Sequence, residues 1–180
     1  MVLRIGTSGY SYKEWKGGFY PEDLGAADML SYYARRLGTV EINNTFYRFP
    51  TTKLLDGWAS QVPADFRFVL KVPQKITHFK RLKSVEEEME YLLQTVSVLG
   101  EKLGALLVQL PPNLSRDDER LAVFLGLLPA GIRAALEVRN PSWRDAGVYA
   151  LLEKHGVALV ASQTDEEPDP QIVRTAPWGY

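Results

Sequence analysis

TVEINNTFYRFP, residues 39–50, carries the pattern that decides the fold. Val40 and Ile42 alternate with Glu41 and Asn43, the period of a strand with one buried face. The strand then runs into Asn44, Thr45, Phe46, Tyr47 and Arg48 before Pro50 stops it. A carboxylate, amides, aromatic rings and a guanidinium at the end of a short apolar strand suit the rim of a pocket better than a core.

The same arrangement recurs along the chain. Apolar segments at 2–5, 66–72 (FRFVLKV), 105–110 (ALLVQL), 133–138 (RAALEV) and 157–161 read as further strands. Between them lie helical patterns. The first spans 23–37, with Met29, Leu30, Tyr33, Ala34 and Leu37 on its apolar face and Gly38 in the left-handed terminal position. Thr51 or Thr52 caps a second helix through Leu54, Leu55 and Trp58. Ser84 with Glu87 reads as a capping box for a third, whose buried stripe is Val85, Met89, Leu92, Leu93, Val96 and Leu99. Glu86 to Glu88 suit the positive end of its dipole. A fourth covers 117–128. Asn140-Pro141 opens a fifth, which ends at Lys154, His155 and Gly156.

Apolar strands alternating with amphipathic helices predict an α/β fold with a parallel sheet. No strand leads into a glycine-rich dinucleotide turn, which disfavours an open doubly wound sheet. Polar groups stand near strand carboxyl ends instead: Glu41 and Asn43, Lys71, Gln109, Glu137 and Arg139. That is where a TIM-type barrel places its chemistry. Closure of such a barrel takes eight strands and usually about 200 residues or more. Here SQTDEEPDPQ follows the sixth strand and is too rich in proline and acid for a helix, and a seventh strand could begin only in 172–180. The expectation is a single domain over residues 1–180, a TIM-type (β/α) barrel incomplete at about six strands. The chain is then truncated, processed or completed by another copy, as a homo-oligomer.

Composition narrows the function classes. The 180 residues are 46% hydrophobic and 24% charged with a net charge of −1, so only a local patch could attract nucleic acid. With no cysteine there is no disulfide, thiolate metal site or cysteine nucleophile. No apolar run is long enough to span a membrane, and MVLRIGTSG has no signal-peptide pattern, so a cytoplasmic protein is expected.

The segments GTSGYSYKEWKGGFYP (6–21), VEINNTFYRFP (40–50), FRFVLKVPQKITHFKRL (66–82), LVQLPP (107–112) and LEVRNPSW (136–143) resemble the YecE-like family, the domain of unknown function 72 proteins, in the family's order. The resemblance implies a TIM-type barrel longer than this chain by about two strands and their helices. It implies no established activity. Similarity of such barrels to sugar-phosphate isomerases and apurinic endonucleases suggests DNA binding by fold analogy alone.

Glu41 and Glu137 are the acid/base candidates, as a carboxylate pair or as metal ligands; the alternative is that each is locked in a structural ion pair, with Lys71 or Arg139. Lys71 and Lys75 could hold a phosphate or carboxylate, and Lys71 could equally be the ion partner of Glu41. His78, one of two histidines, lies on the loop after the third strand and could serve as acid, base or phosphate donor. His155 reads as a helix-end residue. Tyr10, Tyr12, Tyr47 and Trp143 offer aromatic faces with polar tips for ligand stacking, whereas Phe19 and Phe46 read as a hydrophobic lid. Asn43, Gln109 and Arg139 complete the candidate ligand contacts. Lys80, Arg81 and Lys83, with Arg48, Lys75, Arg139 and Arg144, could form a positive rim.

No strong metal motif is present, and a single carboxylate-held magnesium or manganese stays open. The favoured reading is a pocket for a small phosphorylated or anionic ligand, with hydrolysis or isomerisation as the reaction class. The alternative is a nucleic-acid-binding barrel without catalysis.

Overall fold

The structure is a computed structural model and describes residues 2–163 and 172–180. Its strands are β1 (Gly6–Ser8), β2 (Thr39–Ile42), β3 (Arg67–Lys71), β4 (Leu103–Gln109), β5 (Ala134–Glu137) and β6 (Ala158–Leu159). They form one six-stranded sheet in the order β1-β2-β3-β4-β5-β6. Sequential strand order with helical crossovers is that of a TIM-type fold, and the sheet is not closed. The chain divides into two compact units, residues 1–71 with 91–104, and residues 72–90 with 105–180.

In the first unit β1, β2 and β3 run parallel, with Gly6 opposite Thr39, Ser8 opposite Glu41, and Val40 opposite Phe68. Hydrophobicity pointed to residues 2–5 as the first strand, but Val2, Leu3 and Ile5 are 79%, 78% and 66% exposed. The strand begins four residues later, at Gly6, because of close approach. A Cβ on Gly6 would stand 2.1 Å from the Thr39 carbonyl oxygen, so only glycine lets the two backbones meet there. Buried Tyr33 fixes the same pair: its hydroxyl accepts from the Thr7 backbone N–H and donates to the Thr39 carbonyl, both at 2.9 Å.

Tyr33 stands on α1 (Met29–Ala34), which follows a single 3₁₀ turn, Ala26–Asp28, and is much shorter than the helix expected over 23–37. Asp28 makes no side-chain cap, yet Met29, Leu30, Tyr33 and Ala34 are buried as their spacing requires. Gly38 is not among the left-handed glycines. After β2 comes one helical turn, α2 (Asn44–Tyr47), then α3 (Thr52–Ala59), capped by Thr51 Oγ1 accepting from the Leu54 N–H at 3.2 Å.

α4 (Glu86–Val96) buries Met89, Leu92 and Val96. The expected capping box is not formed in its usual geometry. Ser84 has φ +50°, where an N-cap is extended.

In the second unit β4, β5 and β6 run parallel, with Gln109 opposite Glu137. α5 (Asp118–Gly126) is capped by Asp117 and α6 (Ala146–Lys154) by Asp145. Asn140-Pro141 opens only a short 3₁₀ turn, Pro141–Trp143, rather than the long helix. Arg116 links the two helix starts, with Nε 2.6 Å from Asp118 and a terminal nitrogen 2.8 Å from Asp145. Residues 172–180 form no strand. They return along β6, with the Leu159 N–H donating to Thr175 Oγ1 and the Ala161 N–H to the Tyr180 carbonyl. The acidic, proline-rich stretch at 164–171 lies outside the described residues.

Candidate functional site

Parallel strands end in register, so residues at matched positions on β4 and β5 share one edge. Gln109 and Glu137 are such a pair, and both are buried. Gln109 Nε2 donates to Glu137 Oε2 at 2.7 Å, and Arg139 Nε donates to Glu137 Oε1 at 3.1 Å. The carboxylate is therefore held at both oxygens, each keeping one further lone pair. The Arg139 side chain is 53% exposed. Its hydrogen bonding within the protein is through Nε, which leaves the terminal nitrogens without a protein partner among the described residues.

Four residues past the end of β3 the backbone takes a π-helical turn, Lys75–Phe79, and His78 sits on that turn rather than on a loop. Its Nδ1 is 2.8 Å from Thr77 Oγ1. Glu88 on α4 is buried and reaches back to this turn. Lys75 and Lys80 lie 2.9 Å and 2.8 Å from its Oε1. The hydrogen bonds from Lys80 and then Lys75 hold the Glu88 carboxyl at about 2, well below its ordinary 4.5. Lys80 also donates to the Ser84 carbonyl, closing the segment in which Arg81, Leu82 and Ser84 all have positive φ.

The first unit has its own polar cluster at the ends of β1 and β2. Ser8 lies opposite Glu41, and Asn43 lies just past the end of β2, where the backbone turns helical. Ser8 Oγ donates to Glu41 Oε1 at 2.9 Å and accepts from Asn43 Nδ2. The Tyr12 hydroxyl donates to the Ser8 carbonyl, and the Tyr12 ring rests 4.7 Å from Trp15. Lys71 Nζ stands over the Phe46 ring at 4.9 Å. It makes no carboxylate ion pair among the described residues, in place of the expected pairing with Glu41.

Residues 4–180 match the sequence model of a family described as "Protein of unknown function DUF72". The chain belongs to the DUF72 family. It is similar to the UPF0759 protein YecE of Escherichia coli, 31% identical over 143 residues, which are 79% of this chain and 50% of that protein. The chain thus spans about half the length of the curated relatives it matches. Among solved structures it is similar to a DUF72 family protein from Thermotoga maritima, with TM-score 0.83, 29% identity, and coverage of 98% of this chain and 72% of the other. A DUF72 protein from Enterococcus faecalis, at 24% identity and TM-score 0.78, shares the fold over 98% of this chain and 68% of its own.

Several residues expected from the sequence to contact a ligand are otherwise engaged. Trp143 is fully buried and donates from Nε1 to the Leu114 carbonyl at 2.7 Å, so it is a core residue without an exposed face. Lys75 is spent on Glu88. Tyr10 is half-buried, its carbonyl takes the Tyr20 hydroxyl, and burial raises its phenol pKa. Tyr47 is 72% exposed. Phe19 packs in an aromatic cluster with Trp15, Tyr20, Tyr32 and Tyr33. Sequence reasoning missed Ser8, because a serine in GTSGY reads as turn chemistry. Only the register opposite Glu41 reveals it. Among the described residues no three His, Asp or Glu side chains converge as metal ligands.

Proposed function

We propose that this DUF72 chain binds a small phosphorylated or otherwise anionic ligand at the carboxyl ends of β4 and β5. Arg139 is the anion contact and Glu137 the proton acceptor, and hydrolysis or isomerisation is the reaction class. The observation that supports this is the Gln109–Glu137–Arg139 relay. A buried carboxylate aims a half-exposed guanidinium through Nε, and its two terminal nitrogens keep the fork that suits phosphate or carboxylate oxygens. Pinning Glu137 by a neutral amide and one cation keeps it in place with a lone pair available on each oxygen.

The nucleic-acid reading has less support, because Lys75 and Lys80 of the expected basic rim are paired with Glu88. The test is calorimetric titration with inorganic phosphate and glucose 6-phosphate, in wild type and Arg139→Gln. Loss of a charge-assisted contact predicts roughly tenfold or greater weakening. Equal affinity in both proteins would remove Arg139 from the site. A Glu137→Gln variant that binds but no longer turns over a phosphomonoester or an aldose phosphate would identify the reaction class.

A further inference from the structure

The first unit carries a second polar array that the anion reading does not use. Its hydrogen-bond inventory is specific. Ser8 Oγ has one hydrogen, and Glu41 Oε1, which can only accept when ionised, takes it. Oγ must then accept from Asn43, and this fixes the amide with Nδ2 toward the serine. One Asn43 N–H, the Asn43 Oδ1 and one Ser8 lone pair are left without protein partners among the described residues. A donor flanked by acceptors complements adjacent hydroxyl groups, each of which both donates and accepts.

The neighbouring aromatic completes the site. Gly9 has φ +86°, and a Cβ there would lie 2.6 Å from the Tyr12 hydroxyl, so glycine lets Tyr12 fold back over the end of β1. Its hydroxyl is tied to the Ser8 carbonyl and the residue is 39% exposed. An aromatic face beside a carboxylate–hydroxyl–amide row suits the apolar C–H face and polar edge of a sugar ring.

We propose that Ser8, Asn43 and Tyr12, oriented by Glu41, form a subsite for a vicinal diol. The diol could belong to a free sugar or to the ribose of a nucleoside. The subsite lies wholly in the first unit and stands independently of Glu137 and Arg139.

The test follows the Asn43 side-chain amide resonances by NMR, assigned by their loss in Asn43→Ala, on the intact chain. The probes are D-glucose, adenosine, 2′-deoxyadenosine and cyclohexanol. A saturable shift with glucose, or with adenosine but not its deoxy analogue, supports the subsite and names the source. Affinity for that probe should fall roughly tenfold in Ser8→Ala and Asn43→Asp. Asn43→Asp keeps the side chain's size and guards against a variant that fails to fold. The proposal is overturned by no saturable shift with glucose or adenosine, by an equal response to cyclohexanol, or by binding that survives in both Ser8→Ala and Asn43→Asp.

Discussion

Tyr33→Phe isolates the contribution of one hydroxyl to the first unit. β1 has only three residues, so its attachment to β2 depends on few contacts. The Tyr33 hydroxyl supplies two of them, from the Thr7 N–H and to the Thr39 carbonyl, each at 2.9 Å. Phenylalanine keeps the ring and its packing against Phe66 and Phe19, and removes only the hydroxyl. Each lost bond is worth about 1 kcal/mol net, and each backbone group left without a partner adds to that, for a total of about 2–4 kcal/mol. Against a total stability of about 5–15 kcal/mol this is large. Urea unfolding followed by far-UV circular dichroism should show an unchanged slope and a midpoint lower by about 1–2 M, taking a slope of about 2 kcal/mol/M. Tyr32→Phe is the control, because the Tyr32 hydroxyl makes no protein hydrogen bond among the described residues and its loss should cost under about 0.5 kcal/mol. Indistinguishable midpoints for the two variants would refute the claim that Tyr33 holds β1 in place.

Gly6→Ala places a Cβ 2.1 Å from the Thr39 carbonyl and should destabilise by about 2 kcal/mol or more, read as a fall in thermal midpoint. Glu88 has its folded pKa depressed from 4.5 to about 2, so its contribution to stability is complete above about pH 4.5 and is lost as pH falls through about 2. Acid titration of stability should therefore steepen in that window, and Glu88→Gln should flatten it. Trp143→Phe removes the bond to the Leu114 carbonyl and should lower stability by about 1–3 kcal/mol while leaving phosphate affinity unchanged, which separates a core role from ligand stacking.

Local pattern carried much of the fold. The period-2 run at 39–42, the continuous apolar run at 105–110, the cap at Thr51 or Thr52 and the helix beginning near 117 were all readable, because each depends on neighbours a few residues away. The first strand was misplaced for the opposite reason. Val2, Leu3 and Ile5 look more strand-like than Gly6-Thr7-Ser8, and only the close approach of Thr39 makes glycine the better residue. The candidate site divides in the same way. Glu137 with Arg139 was legible, being only two residues apart at the carboxyl end of β5. Trp143 was misread as a stacking surface, since nothing near it in sequence shows that Leu114 receives its N–H. Glu88 read as a helix-start charge, and its grip on Lys75 and Lys80 emerged only when the turn before α4 was in place.

By itself, then, the sequence determined the α/β alternation, the parallel strand order and membership in the DUF72 family, because hydrophobic periodicity and motif order are properties of the linear chain. Only the tertiary structure decided which polar side chains are free to meet a ligand. Whether a charge or a hydroxyl is spent or available depends on what stands opposite it on the next strand or helix, and that partner lies tens of residues away: 33 for Ser8 and Glu41, 28 for Gln109 and Glu137.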